Sequence, residues 1–582
     1  MTPQDAAGRL AEIATLLEVR GENPFKARAF THAVRTLLGL SESDITPLVR
    51  SGAIAALPGI GQTTLGVLRD LVETGDSEYL DQLRESTPEG LVEMLRIPGV
   101  GPTRVHRLHT GLGIESVAEL EAAARDGRLS SLQGFGARTT AQILRGIATL
   151  RETSGQVLHS HAATEARRIE AAVARLPGVS DIEVAGSLRR SNEVVRDIDL
   201  VVACDDPEAL AAEAGNLSGV VEMIGGGTSP TLRLASGVRA DVIFVPRERF
   251  GVALWLATGS REHCAAVRER AARQGYEIRD DRLFAPDGTP VPDADEEAIY
   301  RAASIPWIAP ELRENHGEVE AAAGARLPNL IRLQDIQGVL HCHSNYSDGT
   351  TSILSMARAG LARGWSYLGI SDHSQSAAYA GGLDRDAIRR QHDEIDEVNG
   401  GLKDFRVLKG IEADILADGT VDYGSDVLEQ FDYVIASVHS RFSMTEPQMT
   451  ERILRALDDP HVTILGHPTG RLLLTREPYP VNLEAIIDRA VEVGVAVELN
   501  CDPHRLDLDW RWLQVARARR AMVEVGPDAH SPDSLGYIEL GVGIARKGWL
   551  GVDDVLNAGD AGTVLEFARR RRVSVGGKRD GR

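Results

Sequence analysis

The chain has 582 residues, of which 43% are hydrophobic and 26% are charged. This length exceeds what one hydrophobic core usually supports, and the composition is typical of a soluble globular protein built from several domains. No run of about 18 uncharged apolar residues predicts a membrane span, and the start of the chain carries an acid where a signal peptide is basic, so we expect a cytoplasmic protein. The four cysteines lie far apart and form no CxxC pair, which argues against a disulfide framework and against a thiolate zinc site.

The formal net charge of the chain is -21, whereas proteins that bind nucleic acids usually present a basic surface. This charge does not exclude a nucleic acid partner. Acidic side chains that hold metal ions are neutralised by the bound cations, and phosphates are also held by backbone N–H groups, which add nothing to the net charge.

Helical spacing of apolar residues dominates the first part of the chain, and it predicts a helical domain over residues 1–80 and a second helical region over residues 81–155. One motif occurs three times there, in residues 57–65, 97–105 and 132–140: an apolar residue, a turn, Gly-x-Gly and the start of a helix. The glycine pairs are Gly59 and Gly61, Gly99 and Gly101, and Gly134 and Gly136.

The glycines of this repeat suit contact with an anion, because glycine lets the backbone come close and the following helix offers unpaired N–H groups to a phosphate. A single copy is as compatible with an ordinary corner between two helices. Three copies favour contact with a DNA backbone independent of base sequence. The segments resemble helix-hairpin-helix DNA-binding motifs.

The pattern changes to short strands between Ile182 and Val245, where we expect a small sheet. Asp197 and Asp199 stand two residues apart at the start of one strand, so both carboxylates project from the same face. Asp241, on another alternating strand, supplies a third carboxylate. Such a group can hold two magnesium ions that bridge a nucleotide and an attacking hydroxyl group, and Asp241 can serve as the base.

The residues before the aspartates predict a binding site for a triphosphate beside them. Gly186 and Ser187 are expected to open a helix that receives a triphosphate, with Arg190 facing the charge on the leaving pyrophosphate. This Gly-Ser and Asp-x-Asp arrangement resembles the nucleotidyltransferase superfamily. Together with the hairpins and with Thr258 and Gly259, it resembles the DNA polymerase beta or X family over roughly residues 1–315.

This resemblance implies a palm over residues 156–250, a nucleotide-binding end region over 251–316 that includes Thr258 and Gly259, and short-gap filling in base excision repair. Several positions depart from the family pattern. Val67 stands where the family has its lyase lysine, so Schiff-base removal of deoxyribose phosphate is not expected. Leu256, Ala257 and Cys264 replace residues that touch the incoming nucleotide in the family, which predicts relaxed sugar discrimination.

A connector over residues 317–335 is expected to lead into a second half of different character. There, short apolar strands end repeatedly in His, Asp or Glu and alternate with helices, which predicts an α/β barrel with a site at one mouth. Nitrogen and carboxylate ligands without thiolates suit zinc, manganese or iron. Arg441 and Arg471 follow two of these strands, either as phosphate-binding residues or as solvated surface arginines.

This set of residues resembles the PHP (polymerase and histidinol phosphatase) domain over residues 336–575. The resemblance implies a distorted TIM-like barrel whose site holds up to three Mn²⁺ or Zn²⁺ ions and hydrolyses a phosphodiester. The ligands it implies are His341, His343, Asp348, His373, Glu412, His439, His467, Asp528 and His530.

The whole chain is therefore predicted to be a multidomain α+β and α/β protein that resembles the bacterial-type family X DNA polymerase. The resemblance implies Mg²⁺ or Mn²⁺ in the palm, a 3′–5′ exonuclease and abasic endonuclease in the barrel, and gapped or primed DNA and dNTPs as partners. It also implies a monomer without membrane association, located in the bacterial cytoplasm and on the nucleoid when bound to DNA. Two alternatives remain open: a phosphatase for small phosphomonoesters delivered to DNA, and a gap-binding scaffold with an inactive palm.

Overall fold

The computed structural model describes residues 1–40, 44–75, 77–152 and 155–579. The chain divides into two compact units, one of Met1–Ser154 with Leu474–Arg476 and one of Gly155–Leu473 with Glu477–Arg582. The boundary predicted near residue 155 adjoins residues 153 and 154, which lie outside the described residues. Among the residues described, none of the helices is both long enough and apolar enough to span a bilayer.

The first unit is built from helices that surround two apolar cores. One core includes Leu10, Phe30 and Leu68, and the other includes Leu108 and Phe135. The predicted helical N-terminal region is confirmed. Its helices are α1 (Pro3–Val19), α2 (Pro24–Leu38), α3 (Thr46–Ser51), α4 (Gln62–Thr74), α5 (Glu78–Glu85), α6 (Glu89–Met94), α7 (Pro102–Leu112), α8 (Val117–Arg125) and α9 (Ala137–Glu152).

The second unit begins with a mixed sheet of five strands in the order β2-β4-β7-β6-β5. The central pair, β4 and β7, is parallel, and the flanking strands run antiparallel to their neighbours. The elements of this palm are β1 (Val157–Leu158), α10 (His159–Val173), β2 (Val179–Val184), α11 (Gly186–Arg189), β3 (Val194–Val195), β4 (Ile198–Cys204), α12 (Pro207–Ala214), β5 (Val220–Ile224), β6 (Thr231–Leu234) and β7 (Arg239–Val245).

A helical layer follows the palm and has its own core, which includes Trp255, Tyr300 and Val319. Its elements are α13 (Phe250–Thr258), α14 (Arg261–Arg273), β8 (Glu277–Arg279), β9 (Arg282–Phe284), α15 (Glu296–Ala302) and α16 (Glu318–Ala323). We call this layer the thumb. Because α16 packs into the thumb core, the stretch expected to be a connector begins with a packed helix.

Seven parallel strands in sequential order form the last sheet, and a bridge between Cys342 and Ala529 brings its first and last strands together. This nearly closed barrel confirms the predicted fold. The strands are β10 (Gly338–Val339), β11 (Tyr367–Ile370), β12 (Arg406–Asp414), β13 (Tyr433–Ser437), β14 (Ile464–Leu465), β15 (Ala496–Asn500) and β16 (Val523–Gly526). The helices are α17 (Ile353–Ala362), α18 (Arg385–Gly401), α19 (Ser425–Leu428), α20 (Glu446–Leu457), α21 (Leu483–Val493), α22 (Trp510–Ala518), α23 (Tyr537–Lys547) and α24 (Ala561–Arg579).

Candidate active sites

The three glycine hairpins of the first unit share one backbone geometry. The first glycine of each pair has a positive φ, 81° at Gly59, 82° at Gly99 and 90° at Gly134. The second glycine precedes a helix and has no atom within 4 Å of the position a Cβ would take, which leaves the helix start open. These second glycines are Gly61 before α4, Gly101 before α7 and Gly136 before α9.

At two of these hairpins, the first turn of the following helix also has no side-chain cap. Neither Gly61 nor Gly101 supplies a side chain that accepts a hydrogen bond from the first turn of its helix. Amide N–H groups at an uncapped helix start need a partner from outside the helix. A phosphate would meet that need, because it is both an acceptor and an anion at the positive end of the helix dipole, and contact of these helix starts with DNA stays a prediction.

The palm aspartates meet at one end of the two parallel central strands. Asp199 of β4 lies directly opposite Asp241 of β7 in the register of the sheet, and Asp197 immediately precedes β4. The hydroxyl group of Thr231 donates to Asp241 Oδ1 at 2.5 Å, which fixes that carboxylate. The predicted group of three carboxylates is therefore gathered at one edge of the sheet.

The helix start at Gly186 lies against this group. Gly186 has a φ of 60°, and a Cβ at this position would overlap the carboxylate oxygen of Asp199 and lie 2.5 Å from its Cγ. Only glycine combines this backbone conformation with so close an approach. The first turn of α11, with Ser187 as its second residue, is thereby held directly beside the aspartates, where the sequence predicted a triphosphate site.

The electrostatics of the palm group favour cations. Burial, reinforced by the neighbouring carboxylates of Asp197 and Asp241, raises the pKa of Asp199 to about 7. Burial and the charge of Asp241 also raise the pKa of Asp197. Like charges gathered in a partly desolvated site resist ionisation until a counterion arrives, and magnesium prefers oxygen ligands of this kind.

The other predicted nucleotide-binding residues lie where the palm meets the thumb. Arg190 donates from Nε to Glu314 at 2.9 Å and from Nη1 to the carbonyl of Thr258 at 2.7 Å. The buried hydroxyl group of Thr258 accepts from Arg189 at 2.8 Å. Gly259 ends α13 in an extended conformation. These contacts hold the end of α13, at Thr258, against α11. Direct contact of Arg190, Thr258 and Gly259 with a nucleotide stays a prediction.

The positions that depart from the family pattern have different surroundings. Val67 is buried in a core of the first unit, where a valine contributes packing only. Leu256 and Ala257 are partly exposed on α13. Cys264 is buried, and burial raises the pKa of its thiol to about 11. The predicted effects on lyase activity and sugar selectivity stay predictions.

In the barrel, the implied ligands converge at the carboxyl ends of the strands. They lie on β12 or in the segments that follow β10, β11, β13, β14 and β16. Glu412 is at the centre: one carboxylate oxygen lies 3.2 Å from His439 Nε2 and 3.1 Å from His467 Nε2, and the other lies 2.9 Å from His373 Nδ1.

Three groups of ligand atoms are compact enough to hold an ion each, and some residues belong to two groups. Asp528 Oδ1 lies 3.3 Å from His343 Nε2, and Asp348 Oδ1 lies 3.3 Å from His530 Nε2. The structure thus brings together all nine predicted residues, eight in these groups and His467 beside Glu412. The groups are His343, Asp348, His373 and His530; His341, His343 and Asp528; and His373, Glu412 and His439.

The donor atoms of this cluster fit metal ions. Several buried donor atoms of the cluster make no well-formed hydrogen bond within the described residues. They are His341 Nε2, both ring nitrogens of His343, His373 Nδ1 and Glu412 Oε2. Buried polar atoms without partners are costly unless something else satisfies them. Imidazole and carboxylate donors at these spacings suit divalent transition metals.

Without cations, the cluster balances its charge with protons. Burial opposes protonation of His373, but the carboxylates of Glu412 and Asp348 outweigh burial and raise its pKa to about 10. Burial instead prevails at His343 and, with nearby positive charges, lowers its pKa to about 3. Metal ions would replace these protons as the positive charge of the site.

A second layer of residues orients the ligands. Glu498 accepts from His341 Nδ1 at 2.5 Å and from the backbone N–H of His467 at 2.5 Å, and so holds both ligand segments in place. Asp414 accepts from His439 Nδ1 at 2.7 Å and was not predicted. Its position two residues after Glu412, on the same face of β12, was a usable signal.

Both interpretations offered for Arg471 are wrong. Its side chain is 10% exposed, and it donates to Glu193 of the palm at 2.9 Å and to Asp509 at 2.9 Å. Arg471 therefore neither faces solvent nor is free to hold a substrate phosphate. Arg441 is exposed, and its role stays open.

Comparison with known proteins agrees with this arrangement. A helix-hairpin-helix domain family matches residues 1–77, and a SAM-like helix-hairpin-helix tandem matches residues 91–149. The DNA polymerase beta thumb family matches residues 253–314, and the PHP domain family matches residues 340–501. Fold and sites together define a DNA polymerase of the beta type joined to a PHP domain, which implies DNA binding and dependence on divalent metal ions.

The chain is 34% identical to the DNA polymerase/3′-5′ exonuclease PolX of Bacillus subtilis (strain 168), over 98% of this chain and 100% of that protein. This chain belongs to the family X DNA polymerases with a C-terminal PHP domain. It is also 27% identical to a probable phosphatase of Thermoanaerobacter sp. (strain X514), over 31% of this chain and 74% of that protein. A probable phosphatase of Clostridium acetobutylicum is 30% identical over 28% of this chain and 63% of that protein.

Proposed function

We propose that this enzyme extends primer 3′ ends in short DNA gaps from the palm site and degrades DNA 3′ ends at the barrel site. The observation that carries the proposal is that one chain holds two separate carboxylate-rich sites. One is the group of three aspartates beside the Gly186 helix start, and the other is the nine-residue barrel cluster.

In the palm, Asp197, Asp199 and Asp241 hold two Mg²⁺ or Mn²⁺ ions. When bound, these ions neutralise the phosphates and lower the pKa of the primer hydroxyl group. In this proposal Asp241, whose carboxylate is fixed by Thr231, accepts the proton of that hydroxyl group. The start of α11 at Gly186 receives the triphosphate of a dNTP through backbone N–H groups.

In the barrel, the nine-residue cluster holds up to three Mn²⁺ or Zn²⁺ ions, which supply charge stabilisation and an activated water for phosphodiester hydrolysis when bound. Glu498 and Asp414 keep His341 and His439 in the tautomers that present Nε2 to the cluster. Cleavage at abasic sites is a further activity expected of the same site.

The partners and setting follow from this assignment. The helix hairpins favour gapped or primed DNA gripped by its backbone, independent of base sequence. We propose that the enzyme acts as a monomer in base excision repair in the bacterial cytoplasm, on the nucleoid when it is bound to DNA.

The decisive experiment compares three full-length proteins: the wild type, an Asp197→Ala/Asp199→Ala variant and a His341→Ala variant. Each is given a labelled one-nucleotide gap and a labelled single strand, with Mg²⁺ or Mn²⁺. The palm variant is expected to lose gap filling and keep 3′ degradation, and the barrel variant is expected to do the reverse. Loss of both activities in either variant would contradict the two-site assignment, as would loss of neither.

A second candidate function is hydrolysis of a small phosphomonoester at the barrel, which the two probable phosphatases among the relatives favour. Phosphate release from such a compound, without nucleotide release from a DNA 3′ end, would support this candidate. For the palm, a wild type that binds gapped DNA but fills the gap no faster than an Asp241→Ala variant would support a scaffold without polymerase activity.

A further inference from the structure

A buried ion pair joins the palm to the barrel beside the metal cluster. Glu193, in the palm segment between α11 and β3, accepts from Arg471 at 2.9 Å, and both side chains are 10% exposed. Arg471 follows His467 by four residues in the segment after β14. The palm therefore contributes a buried anion to a part of the barrel that also carries a predicted ligand.

Arg471 uses its remaining donors to hold one barrel loop. Its Nε donates to the carbonyl of Arg505 at 2.9 Å, Nη1 donates to Asp509 at 2.9 Å, and Nη2 also bonds the carbonyl of Leu506. We call residues 502–509, which follow β15, the rim loop. A guanidinium group offers five N–H donors in a rigid fork, so fixing one end of the fork fixes the other.

The rim loop places Arg505 next to the cluster. Its Nε lies 3.5 Å from Asp528 Oδ2, and its side chain is 20% exposed. Asp528 turns its other oxygen toward His343. Arg505 is thus a cation at the edge of the cluster with part of its surface open to solvent, the arrangement that suits a phosphate of an incoming strand.

We propose that Glu193, although it belongs to the palm, is a positioning residue for the reaction in the barrel. Through Arg471 it fixes the rim loop, and the rim loop holds Arg505 where it binds a phosphate of the DNA strand that is being degraded. This inference rests on the proposed nuclease function of the barrel. It also means that the barrel site is complete only when the palm is docked against it.

Without the carboxylate of Glu193, Arg471 keeps its charge but loses a buried partner, and the rim loop has one fewer constraint. We therefore expect Glu193→Ala to raise the KM for a single-stranded oligonucleotide about tenfold in Mn²⁺ with a smaller change in kcat, the size expected when one hydrogen bond to a charged group is lost. Arg505→Ala should raise KM at least as much. The KM of the double variant should be no higher than that of Arg505→Ala alone, because Glu193 acts only through Arg505.

The matched control is Glu311→Ala. Glu311 of the thumb pairs with Arg546 of the barrel at 2.6 Å, with side chains 15% and 22% exposed. This variant removes another partly buried ion pair to the barrel, this time from the thumb, without touching the rim loop, and its KM should stay within about twofold of wild type. Hydrogen exchange of a peptide over residues 502–508 should quicken in Glu193→Ala and stay unchanged in Glu311→Ala.

The inference is overturned if Glu193→Ala leaves KM unchanged, if Glu311→Ala has an equal effect, or if the effects of Glu193→Ala and Arg505→Ala multiply in the double variant. Failure of the proposed nuclease function is a separate result. In that case the wild type itself would release no nucleotides in Mn²⁺, and the exchange measurement alone would still decide whether Glu193 fixes the rim loop.

Discussion

Replacing Gly186 with alanine should separate the two activities of the enzyme. The new Cβ would lie 2.5 Å from Cγ and 2.9 Å from Cβ of Asp199, whereas carbon atoms in contact normally stay about 3.5–4.0 Å apart. Asp199 or the start of α11 must therefore move by about 1 Å. A displacement of that size at a reacting centre costs roughly 100-fold in rate.

The backbone adds a second, smaller cost, because alanine at a φ of 60° is less stable than glycine by about 1–2 kcal/mol. Gly237, in the turn between β6 and β7, offers a matched control, since its φ is 83° and no atom lies within 4 Å of its Cβ position. Gly237→Ala should lose similar stability and melt about 2–4 °C lower. Its polymerase activity should nevertheless stay within about twofold of wild type, because the new Cβ displaces none of the three aspartates.

The assay is single-nucleotide insertion into a one-nucleotide gap in Mg²⁺, measured as kcat/KM, with 3′ degradation in Mn²⁺ as a check that the rest of the chain is folded. We expect Gly186→Ala to lose about 100-fold in insertion and to degrade 3′ ends as the wild type does. The reasoning is refuted if Gly186→Ala inserts nucleotides as well as Gly237→Ala does, since the contact with Asp199 would then have no consequence.

Four further measurements test the sites. The pKa of Asp199 is raised to about 7 and Mg²⁺ needs the ionised carboxylate, so Mg²⁺ affinity by calorimetry should fall about tenfold from pH 8 to pH 6; an unchanged affinity contradicts this. Glu498→Gln should reduce Mn²⁺-dependent nucleotide release about 10- to 100-fold, because His341 loses its charged partner; a wild-type rate would show that Glu498 does not orient His341. Leu256 and Ala257 predict similar primer extension with ribonucleotides and deoxyribonucleotides, and strong rejection of ribonucleotides in a gap-filling assay would show the prediction wrong. Val67 predicts that borohydride traps no covalent complex with an abasic DNA end, and a trapped complex would place a reactive amine elsewhere in the chain.

The sequence predicts those parts of the fold and of the sites that depend on residues close together in the chain. The spacing of Asp197 and Asp199 alone places both on one face of a strand. The barrel ligands follow short apolar runs, and each such run can be recognised as a strand by itself. The edge strand Val220–Ile224 was not predicted, because its apolar residues do not alternate and most of them are exposed.

Contacts between distant segments were the part that the sequence could not supply. Arg471 after a strand end has the same local sequence whether it faces solvent or is buried, and its partner Glu193 lies 278 residues earlier in the chain. Arg190 could be expected to face a phosphate from its motif, but not to be bonded to Glu314. Such pairings depend on how whole domains pack, which no local pattern encodes.

The open helix starts at Gly61, Gly101 and Gly136 bear on how the enzyme behaves when the ionic strength changes. A lysine or arginine that grips a phosphate displaces a condensed counterion, and this release makes affinity fall steeply as salt rises. Neutral amide donors displace few such ions. If DNA is held at these backbone amides, as proposed, this chain with a net charge of -21 gives up long-range attraction. We then expect its affinity for DNA to fall less with rising salt than that of a protein that binds phosphates through lysines.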